Sequence, residues 1–160
     1  MMRAGMAGML VLVLASAMTA CFRPVITPIT PPPYRGAVAA PYEAAWKALI
    51  RALALENVPL RAVAKDSGVV ASDDFFSPIG VYADCGRLGG SQVEGQALVA
   101  FTIFVQPNGG STEIQVNSKM RSQAFQRGAS GSLWPQPVYE CASTGRWEAN
   151  LIDTVRRLAE

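Results

Sequence analysis

Between Gln96 and Met120, two runs of alternating side chains face each other across Pro107-Asn108-Gly109-Gly110. A long antiparallel hairpin satisfies both runs at once. In the first, Val99, Phe101, Ile103 and Val105 fall on one side and Leu98, Ala100, Thr102 and Phe104 on the other. Apolar content on both sides predicts a strand buried substantially on both faces. In the second, Ile114, Val116 and Met120 alternate with Glu113, Gln115, Asn117 and Lys119, the period of two that turns one face inward and leaves the other wet. A chain with this hairpin must build a sheet and cover one face of it.

Two amphipathic stretches are available as cover. Pro41 suits a first helical turn, and Tyr42, Trp46, Leu49, Ile50 and Leu53 recur at three- and four-residue spacings, predicting a helix over about 41–56. Glu43 and Lys47 stand in the order that favours an ion pair on its other face. Near the end of the chain, Ser143 or Thr144 can cap a closing helix with Trp147, Leu151, Ile152, Val155 and Leu158 as its stripe. Leu60–Lys65 and Val69–Ser72 read as a short hairpin around Asp66-Ser67-Gly68, and Ile79–Asp84 as a further strand. Arg121–Tyr139 lacks periodicity and reads as a long loop. The expected fold class is α+β, a single domain over 41–160 with an antiparallel sheet packed against an N-terminal and a C-terminal helix.

The first twenty residues are of a different kind. Met1–Arg3 is a short positive start, Ala4–Ala17 an apolar run, and Met18-Thr19-Ala20 leads directly into Cys21. The run is too short to span a bilayer and reads as a signal peptide over 1–20. A cysteine in that place resembles the lipobox of bacterial lipoproteins, with Met18 where leucine is usual. The resemblance implies lipidation at Cys21, palmitate included, and attachment to a membrane through the acyl chains. Phe22, rather than Asp, implies sorting to the outer membrane. An ordinary secretory signal is the competing reading. Phe22–Pro41 holds six of the eleven prolines, so residues 21–40 are expected to form a lipidated, extended tether; proline-rich docking to a partner is the alternative.

Removing residues 1–20, whose single charge is Arg3, leaves 140 residues with 13 basic and 12 acidic side chains. A net charge near zero, with no basic cluster longer than Arg156-Arg157, disfavours nucleic acid as a partner. Besides Cys21 only Cys85 and Cys141 remain. An exported chain meets an oxidising compartment, so the expected state is a Cys85–Cys141 disulfide, against two separately buried thiols.

Histidine is absent, which removes the commonest general base and zinc ligand. Asp73-Asp74 and Asp84 are the carboxylates to weigh for glycosidase-like work, against a solvated loop. Gly86-Arg87-Leu88-Gly89-Gly90 lacks the Lys-Ser/Thr of a phosphate loop. No catalytic or metal-ligating residue and no cofactor is expected. The remaining candidates are partner contacts: Phe75 and Phe76, Trp134, and the stretch that sets Phe125 between Arg121 and Arg127. Their competing reading is aromatic side chains folded back onto the core.

The phrase Tyr42-Glu43-Ala44-Ala45-Trp46-Lys47-Ala48-Leu49, the turn Asp66-Ser67-Gly68 before Val69-Val70, and Cys141-Ala142-Ser143-Thr144-Gly145 before an amphipathic helix resemble small helix-grip domains of bacterial lipoproteins, the BamC (NlpB/DapX) family. The resemblance covers about 41–160 and implies a sheet wrapped around a long helix. The expected function is that of a non-enzymatic lipoprotein, anchored in the outer membrane and facing the periplasm, serving as a structural or assembly subunit with an envelope protein partner. The alternative is a periplasmic module that holds a lipid or other apolar molecule between sheet and helix.

Overall fold

The alternating runs do form the central hairpin. The computed structural model describes residues 25–88, 91–123, 125–127, 133–135 and 138–160; the signal peptide and Cys21 lie outside them. In chain order the elements are β1 (Val25–Ile26), β2 (Tyr34–Val38), α1 (Tyr42–Leu55), β3 (Leu60–Ala64), β4 (Val69–Ser72), β5 (Phe75–Pro78), β6 (Ala83–Asp84), β7 (Arg87–Leu88), β8 (Ser91–Gln92), β9 (Gln96–Asn108), β10 (Ser111–Ser122), β11 (Phe125–Arg127), β12 (Leu133–Pro135), β13 (Glu140–Ser143) and α2 (Arg146–Ala159). The fold is mixed α+β, with a large antiparallel sheet and two helices.

β9 and β10 pair along their whole length, with Val105 opposite Ile114, Ile103 opposite Val116 and Val99 opposite Met120. Each then shares its outer edge between two short strands. β4 lies on β9 from Phe104 to Thr102 and β5 from Val99 to Gln96. β2 lies on β10 from Thr112 to Val116 and β13 at Met120–Arg121. Where β4 gives way to β5 the ladder would lose an acceptor, and Ser72 Oγ supplies it to the Phe101 N–H at 2.8 Å. Ser122 Oγ does the same for the Tyr139 N–H where β13 approaches β10.

Both helices join the inward face of the sheet in one buried cluster. Leu49 and Leu53 of α1, Leu151 and Ile152 of α2, and Val99, Ile103, Ile114 and Met120 of the hairpin are all almost fully buried. The Trp147 ring stacks on Phe101 with centroids 3.8 Å apart, and its indole N–H donates to Glu56 at the end of α1 at 2.9 Å. Helix α1 ends where the sequence predicts. Asn57 takes a left-handed conformation (φ 53°), its N–H reaching Ala54 O and that of Val58 reaching Leu53 O, the Schellman arrangement.

Five expectations need correction. The proline-rich segment is not free to Pro41: β2 is a strand of the sheet, and two strands precede α1, so that helix is not N-terminal to the sheet. No proline falls between Pro33 and Pro41, and Gly36 lets the strand lie against α2, since a Cβ there would come within 2.7 Å of Ile152 Cδ1. The Arg156 side chain also donates to Ala37 O at 3.0 Å. Second, β9 is not buried on both sides, because Leu98, Ala100, Thr102 and Phe104 are only half-buried. Third, of Ile79–Asp84 only Ala83–Asp84 form a strand, while Phe75–Pro78, preceded by two aspartates that suggest a loop, pair with β9. Fourth, Arg121–Tyr139 is not one loop: β10 runs to Ser122, and β11 pairs with β12, Gln126 opposite Trp134. Fifth, Gly145 is the N-cap of α2, while Thr144 Oγ1 donates to Val81 O instead.

The sulfurs of Cys85 and Cys141 lie 1.99 Å apart, at disulfide distance. Replacing both by alanine should lower unfolding free energy by about 2–4 kcal/mol in urea titrations, since the link closes a long loop. Gly68 offers a separate check on the β4–β9 junction. Its φ is +66° and a Cβ would sit 2.2 Å from Val105 O, while its own carbonyl accepts the Val105 N–H at 2.8 Å. Gly68→Ala should therefore cost roughly 2 kcal/mol or more in the same titration.

Candidate functional site

The pleat sends alternate side chains of the hairpin away from the helices, and these form a second face with a regular plan. One cross-strand row runs Phe76–Leu98–Arg121 over β5, β9 and β10. Another runs Val69–Phe104–Gln115–Arg35 over β4, β9, β10 and β2. Between them, Ala100 faces Lys119 and Thr102 faces Asn117. The face is thus divided lengthwise: apolar along β4, β5 and β9, polar and charged along β10 and β2. Phe76 is 56% exposed, and Leu98, Ala100 and Phe104 are half-buried.

The charges on this face are largely paired at its margins. Arg121 Nη2 lies 2.9 Å from Asp74 Oδ2, and Arg35 Nη1 lies 3.8 Å from Glu113 Oε1. Gln115 donates to Asn117 Oδ1 at 3.0 Å. Such exposed pairs contribute little stability, about 0–1 kcal/mol each; they fix side-chain positions around the apolar stripe. Phe104, Gln106, Glu113 and Gln115 line a shallow depression of about 250 Å³. On the opposite side, the space between sheet and helices is filled by the Phe101–Trp147 stack and the leucines around it.

At the corner where α1 meets the end of β3, Lys65 Nζ lies 2.6 Å from Glu43 Oε2. That hydrogen bond holds the Lys65 ammonium above its ordinary range. Tyr42 donates its hydroxyl to Lys65 O, and burial pushes the phenol up. Because the lysine is raised, its charge is present at neutral pH and its contribution to this pairing is lost as alkaline pH deprotonates Lys65.

The pleat separates two of the predicted contact residues. Phe75 points inward, its ring 5.6 Å from that of Phe101, which is the folded-back reading; Phe76 points outward beside Leu98. Arg121 joins Phe76 on the open face. The side chains of Phe125, Arg127 and Trp134 lie outside the described residues. The carboxylates do not converge: Asp74 is paired with Arg121, whereas Asp84 on β6 accepts the Gly86 N–H at 2.8 Å. Among the described residues no group of three acidic or cysteine side chains is placed to hold a metal.

Sequence reasoning missed Leu98 and Phe104, assigned to a second buried face. The signal was in the partner strand, since the residues opposite them are Arg121 and Gln115. It also missed Glu148, 2% exposed in the first turn of α2. Glu148 Oε1 accepts hydrogen bonds from Ser143 at 2.5 Å and from Ser118, clasping α2 to β10 and β13, while Oε2 is buried without a partner.

In comparisons with known proteins, no family model and no curated protein matches this sequence.

The two adjacent phenylalanines should separate in stability measurements. Phe75→Ala should cost about 2–4 kcal/mol, as for a ring withdrawn from a packed core. Phe76→Ala should change stability by no more than about 0.5 kcal/mol. Urea denaturation of the two variants, followed by tryptophan fluorescence, checks the contrast.

Proposed function

We propose that this protein is a membrane-anchored, non-enzymatic lipoprotein that serves as a structural or assembly subunit of a cell-envelope complex, and that the open sheet face is where it meets its partner. The observation that carries this reading is the division of that face into an apolar stripe and a polar margin. Protein–protein interfaces combine a desolvated apolar centre with a polar rim, and exposed aromatic side chains such as Phe76 serve as anchors in them. The near-neutral charge of the chain after residue 20 agrees with recognition by shape and local apolar contact rather than long-range attraction.

Anchoring is supported by the leader that runs into Cys21, and export to an oxidising compartment by the Cys85–Cys141 pair. Attachment to the outer membrane is supported by Phe22, rather than Asp, at the sorting position; a periplasmic orientation is part of the proposal. No helix among the described residues is long and apolar enough to cross a membrane. The α+β architecture agrees with a helix-grip domain of the BamC kind, both helices packing on one face of an antiparallel sheet. The apolar-ligand alternative has less support, because the side chains of α1 and α2 fill the space between helices and sheet.

Two measurements test this reading. Cys21→Ser should move the protein from the membrane to the soluble periplasmic fraction; continued membrane retention counts against the anchor. Extraction of the lipidated protein in mild detergent should yield a stoichiometric envelope partner, lost in Phe104→Arg while the circular dichroism spectrum is unchanged. A monomer carrying extractable lipid would instead favour the ligand-binding alternative.

A further inference from the structure

The tether expected from the prolines is pinned close to its start. β1 pairs antiparallel with β7, Val25 opposite Leu88 and Ile26 opposite Arg87, and β7 pairs with β8 to complete a three-stranded sheet. Only Phe22, Arg23 and Pro24 separate Cys21 from β1. At no more than about 3.6 Å per residue, Cys21 can lie at most about 14 Å from Val25. The headgroup layer of a bilayer is itself about 5–8 Å thick on each side, so much of that reach is spent inside it.

We infer that the β7–β8 end of the domain is seated on the lipid surface to which Cys21 is attached. This rests on the lipid-anchor reading of Cys21 and adds to it an orientation. Joining two surfaces through a three-residue link raises their effective concentration enough to keep even a weak contact occupied. The chemistry of this end suits a headgroup layer: Arg87 and Gln92 are exposed. Val138, 53% exposed, precedes Tyr139, whose carbonyl accepts the Ser122 N–H. Ile29, 93% exposed, follows β1 by three residues. Glu94 is also exposed here, so the local charge is close to balanced and the link, rather than electrostatic attraction, holds the contact. The β9–β10 turn lies at the other end of the hairpin, some 12 residues of strand from Gln96 and hence about 40 Å away. The open sheet face runs along the strands between these ends, so a partner meets it from the side.

The test uses the full lipidated protein reconstituted into vesicles of phosphatidylethanolamine and phosphatidylglycerol. A photoreactive benzoylphenylalanine replaces Arg87, Gln92 or, as the distal control, Asn108, and lipid adducts are counted by mass spectrometry after illumination. Adducts at positions 87 and 92 are expected to exceed those at 108 several-fold, and to persist at high salt. Equal yields at the three positions in protein that floats with the vesicles would overturn the seating and leave the anchor standing. Protein of native spectrum that does not float would remove the anchor, and the seating with it. Two positions at the seated end guard against one substitution failing to fold.

Discussion

The ladder between β9 and β10 sets the geometry on which every other element depends. Twelve residue pairs hold two strands in one register, and no other pairing in the sheet is half as long. Because each strand of this hairpin is longer than any neighbour, its outer edges are occupied piecewise: β4 and β5 on one side, β2 and β13 on the other. Where β4 gives way to β5 the Ser72 hydroxyl supplies the acceptor that the Phe101 N–H needs, and past the β13 pairing the Ser122 hydroxyl accepts the Tyr139 N–H. The same register aligns Val99, Phe101, Ile103 and Val105 with Ile114, Val116 and Met120 into the floor on which Trp147 and the helix leucines rest. A one-residue slip would turn that floor outward.

Much of this was legible in sequence because it is periodic. The hairpin, both helices and the β3–β4 turn follow from spacings of two and of three to four residues, and Asn57-Val58-Pro59 marks the end of α1. The readings that failed concern residues whose neighbours decide their state. Leu98 and Phe104 look like core when β9 is read alone, and only the polar residues across from them on β10 reveal that this side is wet. Phe75-Phe76-Ser77-Pro78 looks like a connection because Asp73 and Asp74 precede it. It becomes a strand because β9 extends past β4 and leaves an edge to fill. Glu148 shows the same dependence, since nothing in an amphipathic helix announces that one glutamate will be buried against serines of the neighbouring strands β10 and β13.

The two faces of the sheet also divide the work of the molecule. The inward face is closed by large apolar side chains and by the Glu148 clasp, so it supplies stability and little room. The outward face keeps Leu98, Ala100 and Phe104 at partial exposure, with Phe76 more exposed beside them. The arrangement separates what holds the fold together from what it can offer to another molecule, so change on one face need not disturb the other.

The proline-rich segment, fixed at β1 and again at β2, has a mechanical consequence. Tension applied at the N-terminus loads the two-residue β1–β7 pairing first. Once that parts, force passes along the proline-rich residues 27–33, a semi-rigid link of about 20 Å contour, to the five-residue β2, which is backed by Arg156. The domain can therefore yield in a first short step while the sheet and both helices remain intact.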